Sequence, residues 1–224
     1  DGACVEVCLP GALEMVGREK SVDEVLSLLE DDRIYFDESR GGVPLSGGEP
    51  FAQVDFLRSL LSGCMDREIP VVLDTCGHVE PSLFRELVPL ASGLLFDLKL
   101  MDEERHEQFT GVHNRWILEN LTWVAENGGG KPELTVRIPL IPGVNDDESN
   151  LEATAGFLSG LSSRPRVDLL PYHRMGVNKY DRTGREYLLR EVETPTEGRV
   201  GFAVRILKES ALDVTVRGEH HGND

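Results

Sequence analysis

Short apolar runs recur along the chain, and each breaks into a polar cluster. Val43-Pro44-Leu45 runs into Ser46-Gly47-Gly48-Glu49-Pro50, and Pro70-Val71-Val72-Leu73 into Asp74-Thr75-Cys76-Gly77-His78. Gly93-Leu94-Leu95-Phe96 ends in Asp97-Leu98-Lys99, the run from Leu134 to Leu140 ends in Pro142-Gly143-Val144-Asn145-Asp146, and Val167-Asp168-Leu169-Leu170 ends in Pro171-Tyr172-His173. Runs of this length bounded by turn residues read as five buried strands.

The intervening segments carry a helical period. Ser21-Val22-Asp23-Glu24 is a capping box, opening a helix whose apolar face is Val25, Leu26, Leu28 and Leu29. A second helix over 51–62 presents Val54, Leu57, Leu60 and Leu61 and stops at Gly63, leaving Cys64 just beyond it. Pro81 starts a third, with Leu83, Phe84, Leu87 and Val88 facing inward. Asn114 caps a fourth that ends at Asn127-Gly128-Gly129-Gly130, Asp146 or Asp147 opens a fifth, and the last runs from Thr196 to Ser210. Strands alternating with helices predict a parallel sheet with right-handed crossovers. Periodicity alone does not choose between an open doubly wound sheet and a barrel.

The 224 residues suffice for one α/β domain with a sizeable core. Forty acidic residues against 23 basic ones give a net charge of −17, which repels phosphate backbones and anionic membranes and excludes nucleic acid as a natural partner. The sequence shows neither a secretory leader pattern nor a long apolar span, and a cytoplasmic location is expected. The four cysteines, Cys4, Cys8, Cys64 and Cys76, do not make a disulfide scaffold in a chain of this size.

The polar clusters lie at the C-terminal ends of the strands, where an α/β barrel builds its site. Gly47 and Gly48 lack Cβ atoms, so their peptide groups can touch a ligand, and the acceptor-only Glu49 carboxylate suits an ammonium. Asp74 and Asp97 repel each other unless a cation, Lys99 or a proton intervenes. Asp97 and Lys99 share one strand face, and Arg137 could serve a ligand, a carboxylate such as Asp168, or a substrate main chain. His106 and His113 have no metal-ligand spacing and are expected to be structural, while the polar loop 174–193, with Lys179, Tyr180, Arg182 and Arg185, is expected to be solvated surface, a cover over the site or a partner contact.

Taken in order, Ser46-Gly47-Gly48-Glu49-Pro50, Leu73-Asp74-Thr75-Cys76-Gly77, Asp97-Leu98-Lys99, Phe109-Thr110-Gly111-Val112-His113-Asn114 with Ile117-Leu118-Glu119-Asn120-Leu121, Arg137 with Pro142-Gly143-Val144-Asn145-Asp146, and Leu169-Leu170-Pro171-Tyr172-His173 resemble the radical S-adenosylmethionine superfamily. More narrowly they resemble the glycyl-radical-enzyme activases typified by pyruvate formate-lyase activating enzyme. The resemblance implies a partial (β/α)6 TIM-like barrel with parallel strands and an enzyme that cleaves S-adenosylmethionine reductively at a [4Fe-4S] cluster. The 5′-deoxyadenosyl radical so formed takes hydrogen from a glycine of a glycyl radical enzyme, with flavodoxin or ferredoxin as reductant. It further implies that Ser46, Gly47, Gly48, Glu49, Asp74, Thr75, Asp97, Lys99, Arg137 and His173 bind the cofactor. Asp74, Thr75 and Asp97 would also hold a monovalent cation.

The chain departs from the family at the Cys-x3-Cys-x2-Cys motif, which none of its cysteines forms. Cys4-x3-Cys8 followed by Pro10 instead resembles the end of a bacterial ferredoxin motif. The resemblance therefore implies that residues 1–14 are the remnant of a ferredoxin-like insert, with Cys4 and Cys8 as former cluster ligands, and residues 15–224 the barrel. On that reading the first strand and cluster loop are missing, and the chain is an inactive fragment whose strand 43–45 is an exposed edge with unpaired backbone groups. Two alternatives stand beside it. One is a non-catalytic binding or regulatory module derived from the barrel, and the other an aldolase-like lyase using Lys99.

Overall fold

A computed structural model describes residues 3–13, 15, 17–39, 41–174, 180 and 186–217. A short helix α1 (Ala3–Glu6) precedes α2 (Val22–Asp31) and α3 (Arg33–Ser39). The alternating part then runs β1 (Val43–Leu45), a 3-10 turn (Pro50–Gln53), α4 (Val54–Asp66), β2 (Val71–Thr75), α5 (Pro81–Leu87), a second 3-10 turn (Val88–Leu90), β3 (Gly93–Asp97), α6 (Glu103–Thr110) and α7 (Arg115–Asn127). It continues through β4 (Glu133–Leu140), α8 (Glu148–Gly160), β5 (Arg166–Pro171), α9 (Glu197–Glu209) and β6 (Asp213–Val216).

The six strands form one all-parallel sheet in the order β1-β2-β3-β4-β5-β6. A doubly wound sheet reverses its strand order at a switch point, whereas this one steps to the next neighbour every time, as a barrel does. Topology thus supplies the choice that periodicity left open, and the sheet is an open, partial barrel.

Burial alternates along the strands. Val71, Leu73, Leu94, Phe96, Val136, Ile138, Val167 and Leu169 belong to the core with helix residues such as Leu61, Phe84, Leu121, Leu151 and Leu207. Asp74, Asp97, Arg137 and Asp168 lie on the other face and are only partly buried. The apolar core therefore fills the space between sheet and helices, and the opposite face is left for polar side chains. Phe84 anchors the helix layer, with its ring 5.9 Å from Phe51 and 6.1 Å from Phe96.

Helix starts follow the caps the sequence offers. Ser21 Oγ accepts from Glu24 N at 3.2 Å while Ser21 N donates to the Glu24 carboxylate at 2.8 Å, completing the capping box. Glu80, Asp102, Asp147 and Thr196 cap α5, α6, α8 and α9.

Four expectations require correction. The strand Asp213–Val216, too short and too polar to stand out as an apolar run, brings the sheet to six strands rather than five. The helix expected over 51–62 begins as a 3-10 turn and continues through Gly63, so that Cys64 is a fully buried residue inside α4. Gly63 serves packing rather than termination, since a Cβ there would sit 2.5 Å from Leu26 Cδ1. Asn114 stands at the N-terminus of α7 but makes no capping bond; its amide donates to Leu100 O at 3.1 Å and Met101 O at 2.8 Å.

The fourth concerns the donors of β1. It is the sheet edge and leaves the Pro44 carbonyl facing the open side, as expected, but it presents no amide hydrogen there. Val43 N donates to Pro70 O at 2.8 Å, so the alternation of the strand turns the nitrogen of Pro44, which has no hydrogen, outward.

Candidate functional site

The loops after β1 and β2 meet through Glu49. This residue caps the 3-10 turn that begins at Pro50, with its Oε1 accepting from Phe51 N at 3.3 Å. The same oxygen accepts from Thr75 Oγ1 at 2.7 Å, and Oε2 accepts from Cys76 N at 3.0 Å and Cys76 Sγ at 3.1 Å. All four lone-pair directions of the carboxylate are thereby used. A ligand ammonium would take the place of the weakest donor, the thiol. Burial, followed by the facing Glu49 carboxylate, pushes the Cys76 thiol up from its ordinary range, so it stays protonated and donating.

Before Glu49, the backbone is open. Gly47 has φ +122, and a Cβ on either Gly47 or Gly48 would meet nothing within 4 Å. Beside this loop, a cavity of about 240 Å³ is lined by Leu45, Ser46, Gly48, Glu49, Phe56 and Leu57, among others.

On the polar face of the sheet, Arg137 links the two aspartates. Its Nε and Nη2 donate to Asp97 Oδ1 at 2.9 and 2.7 Å, and Nη1 donates to Asp74 Oδ2 at 3.1 Å, with a further contact from Nη2 to Asp74 Oδ1. Lys99 Nζ stands 3.4 Å from Asp97 Oδ2. Burial opposes the charge of Arg137, but Asp97 and Asp74 outweigh it and hold the guanidinium more firmly protonated. The repulsion expected between the carboxylates is thus relieved by an arginine. Strand register sets Arg137 between Asp97 and Asp168, yet Asp168 pairs with Arg217 at 3.2 Å, so the expected alternative of an Arg137 to Asp168 pairing is not the one formed.

Thr75 does not join that cluster. Adjacent strand residues face opposite ways, and its hydroxyl goes to Glu49 while also accepting from Gly77 N at 3.0 Å. Lys99 lies two residues past Asp97, outside β3, and reaches it from the following loop. His173 follows β5 and is exposed.

Three features escaped the sequence reading. Asn145, almost fully buried, donates to Lys99 O at 2.9 Å and Pro139 O at 2.5 Å and accepts from Ile141 N at 2.8 Å. Asn150 accepts from Met101 N at 3.0 Å, and Asn120 donates to Gly77 O and Val79 O at 3.0 and 2.9 Å. With Asn114, these side chains pin the loops that follow β2 and β3, Asn120 and Asn150 from helices and Asn145 from the turn after β4. For Asn120 and Asn150 the signal was present, since asparagine inside an apolar helix face is out of place unless it bonds backbone.

His106 is buried, its Nδ1 2.7 Å from Val112 O, and burial lowers its pKa; the expected structural role fits that geometry. His113 lies 3.6 Å from Glu103 and 3.4 Å from Glu107. Lys179, Arg182 and Arg185 lie outside the described residues; the Tyr180 and Tyr187 rings are tilted by 44° with centroids 4.6 Å apart.

The cysteines are dispersed. Cys4 is exposed in α1, Cys8 is half-buried just after it, Cys64 is buried in α4 and Cys76 is bonded to Glu49. No group of three His, Cys, Asp or Glu among the described residues is placed to hold a metal ion. The residues of this chain therefore do not fit a [4Fe-4S] cluster, which needs several converging thiolates.

A family model described as the Radical SAM superfamily matches residues 8–154. The trans-4-hydroxy-L-proline dehydratase activating enzyme of Clostridioides difficile is 39% identical over 210 residues, covering 92% of this chain and 68% of that protein. The isethionate sulfite-lyase activating enzyme of Desulfovibrio desulfuricans is 40% identical over 211 residues, covering 92% and 66%. The choline trimethylamine-lyase activating enzyme of Oleidesulfovibrio alaskensis is 38% identical over 179 residues, covering 79% and 57%. The chain thus spans 57% to 68% of the length of these relatives. Among solved structures, a domain of pyruvate-formate lyase-activating enzyme from Bacteroides vulgatus superposes with a TM-score of 0.66 at 34% identity, covering 80% of this chain and 99% of that one. The chain belongs to the radical SAM superfamily, within its group of glycyl-radical-enzyme activating enzymes.

Proposed function

We propose that, in a protein of its relatives' length, this chain forms the S-adenosylmethionine-binding and partner-facing part of an enzyme that installs a glycine-centred radical on a glycyl radical enzyme. The observation that carries this reading is the convergence of the β1 and β2 loops on Glu49, next to the unshielded backbone of Gly47 and Gly48.

The residues present fit the polar half of S-adenosylmethionine. The open peptide groups of Ser46, Gly47 and Gly48 with the Glu49 carboxylate would take its ammonium, Lys99 its carboxylate and His173 its ribose hydroxyls. Arg137 would hold Asp74 and Asp97 in place beside it. A monovalent cation bound by Asp74, Thr75 and Asp97 would have to displace the Arg137 guanidinium and use main-chain oxygen at Thr75, whose hydroxyl is engaged elsewhere. When bound, the cofactor pair supplies the electron transfer and hydrogen abstraction, while the protein orients the sulfonium ligand and shields it from water.

The radical cluster's thiolates do not come from this chain. Residues 1–14 would be the end of a ferredoxin-like insert, in which Cys4 and Cys8 supply half of a four-cysteine site, with residues 15–224 as the barrel. A flavodoxin or ferredoxin would be the reductant.

The test is a calorimetric titration of the chain with S-adenosylmethionine, repeated with Glu49→Ala and His173→Ala. Weak binding abolished by both substitutions is expected. Binding that neither substitution alters would place the pocket elsewhere. Anaerobic iron-sulfide reconstitution of the chain alone should give no S-adenosylmethionine-cleaving activity.

A further inference from the structure

Asn120 is fully buried in the middle of α7, a helix whose inward face is otherwise Ile117, Leu121, Val124 and Ala125. Its amide nitrogen spends both hydrogens on one loop, donating to Gly77 O at 3.0 Å and Val79 O at 2.9 Å. Its oxygen is buried with no hydrogen-bond partner among the described residues. Such a half-satisfied amide is a poor choice for stability, because the orphaned acceptor offsets what the two donors contribute and a leucine would fill the space without that cost. The residue is better explained by what its two hydrogen bonds hold.

The loop held is the one that builds the Glu49 cluster. Cys76, immediately before Gly77, gives Glu49 both its N–H and its thiol, and Gly77 N in turn donates to Thr75 Oγ1, whose own hydrogen goes to Glu49. Gly77 has φ +69 with the Phe96 ring packed where a Cβ would be, so the loop is wedged from below by Phe96 and tied from α7 by Asn120.

We propose that Asn120 is a positioning residue, fixing the Gly77 to Val79 backbone so that Thr75 and Cys76 present their donors to Glu49 and set its carboxylate for the ligand ammonium. The proposal rests on the ligand reading of Glu49 for its last step only. Without Asn120 the carbonyls of Gly77 and Val79 lose their common donor, the loop shifts, and the Cys76 thiol is released from its shielded contact.

The Cys76 thiol itself reports the outcome. In the full chain carrying Cys4→Ser and Cys8→Ser, the alkylation rate of Cys76 by iodoacetamide is measured by peptide mapping, with buried Cys64 as the internal monitor of global opening. Asn120→Leu and Asn120→Ser should each raise the Cys76 rate by about tenfold while Cys64 stays protected, because release of a shielded thiol governs its reactivity. Leu121→Ala, which weakens the same helix without touching the loop, should leave the ratio of the two rates unchanged. Affinity for S-adenosylmethionine should fall with Asn120→Leu but not with Leu121→Ala. Cys76 rates within twofold of the parent in both Asn120 variants, or an equal rise at Cys64, would overturn the proposal. If Glu49→Gln leaves the affinity intact, the ligand reading fails while the alkylation rates still decide the role of Asn120.

Discussion

Arg137 and Asp97, on neighbouring strands, face each other across the sheet register, and both Nε and Nη2 of the arginine converge on Asp97 Oδ1. Because the same guanidinium also holds Asp74, removing it leaves two partly buried carboxylates with only Lys99 nearby. Arg137→Met should destabilise the chain by about 2–4 kcal/mol at neutral pH, the usual scale for stranding one side of a buried ion pair. Asp74→Asn should rescue the loss in part. Denaturant titrations of the single and double variants check this, and added potassium chloride tests in the same samples whether a monovalent cation replaces the arginine.

Gly77 and Gly47 both occupy positive φ, but only Gly77 is crowded, with the Phe96 ring 2.1 Å from where a Cβ would fall. Gly77→Ala should cost about 2–4 kcal/mol, combining backbone strain with overpacking. Gly47→Ala should cost about 1–2 kcal/mol, from strain alone. Its larger effect should be on ligand affinity, because the new methyl covers open backbone. Thermal melts and cofactor titration of the two variants separate these effects.

His106 gives the fold an acid-sensitive point. Burial lowers its folded pKa below the unfolded value of about 6.5, so the unfolded chain takes up the proton first. The stability this ring confers is intact above the unfolded pKa and is lost as the pH falls through the folded one. Melting temperatures should therefore drop between pH 7 and 5 by more in the parent than in His106→Gln, and parallel slopes would count against the assignment.

The sheet should open from its first strand. β1 has three residues and one neighbour, whereas β3 lies between β2 and β4. Amides of Val43 and Leu45 should exchange with deuterium well ahead of those of Leu94 and Phe96, and equal protection would mean that β1 is covered.

Much of this architecture was legible because each layer has its own sequence signal. Apolar runs marked five strands, caps such as Ser21, Asp147 and Thr196 marked helix starts, and the polar residues after each strand marked the face on which Asp74, Asp97 and Arg137 meet. The missing parts share a physical cause. β6 alternates Val214 and Val216 with polar residues over only four positions, α6 is almost entirely polar, and Gly63 looks like a stop until Leu26 is seen packed against it. The partner of Arg137 was undecidable from spacing, since register offers it a carboxylate on either side. The loop-tying role of Asn114, Asn120 and Asn145 depends on contacts 14, 43 and 46 residues away in the chain, which the local pattern does not state.

Pro44 makes the rim of the sheet chemically one-sided. Over the three residues of β1, the outward face presents the Pro44 carbonyl and no amide hydrogen, so any strand laid alongside can give a hydrogen to this rim but cannot receive one from it. Indiscriminate sheet extension, which depends on both directions of exchange, is starved at its first step. A neighbour that does settle there must be selected by its side chains rather than by backbone pairing.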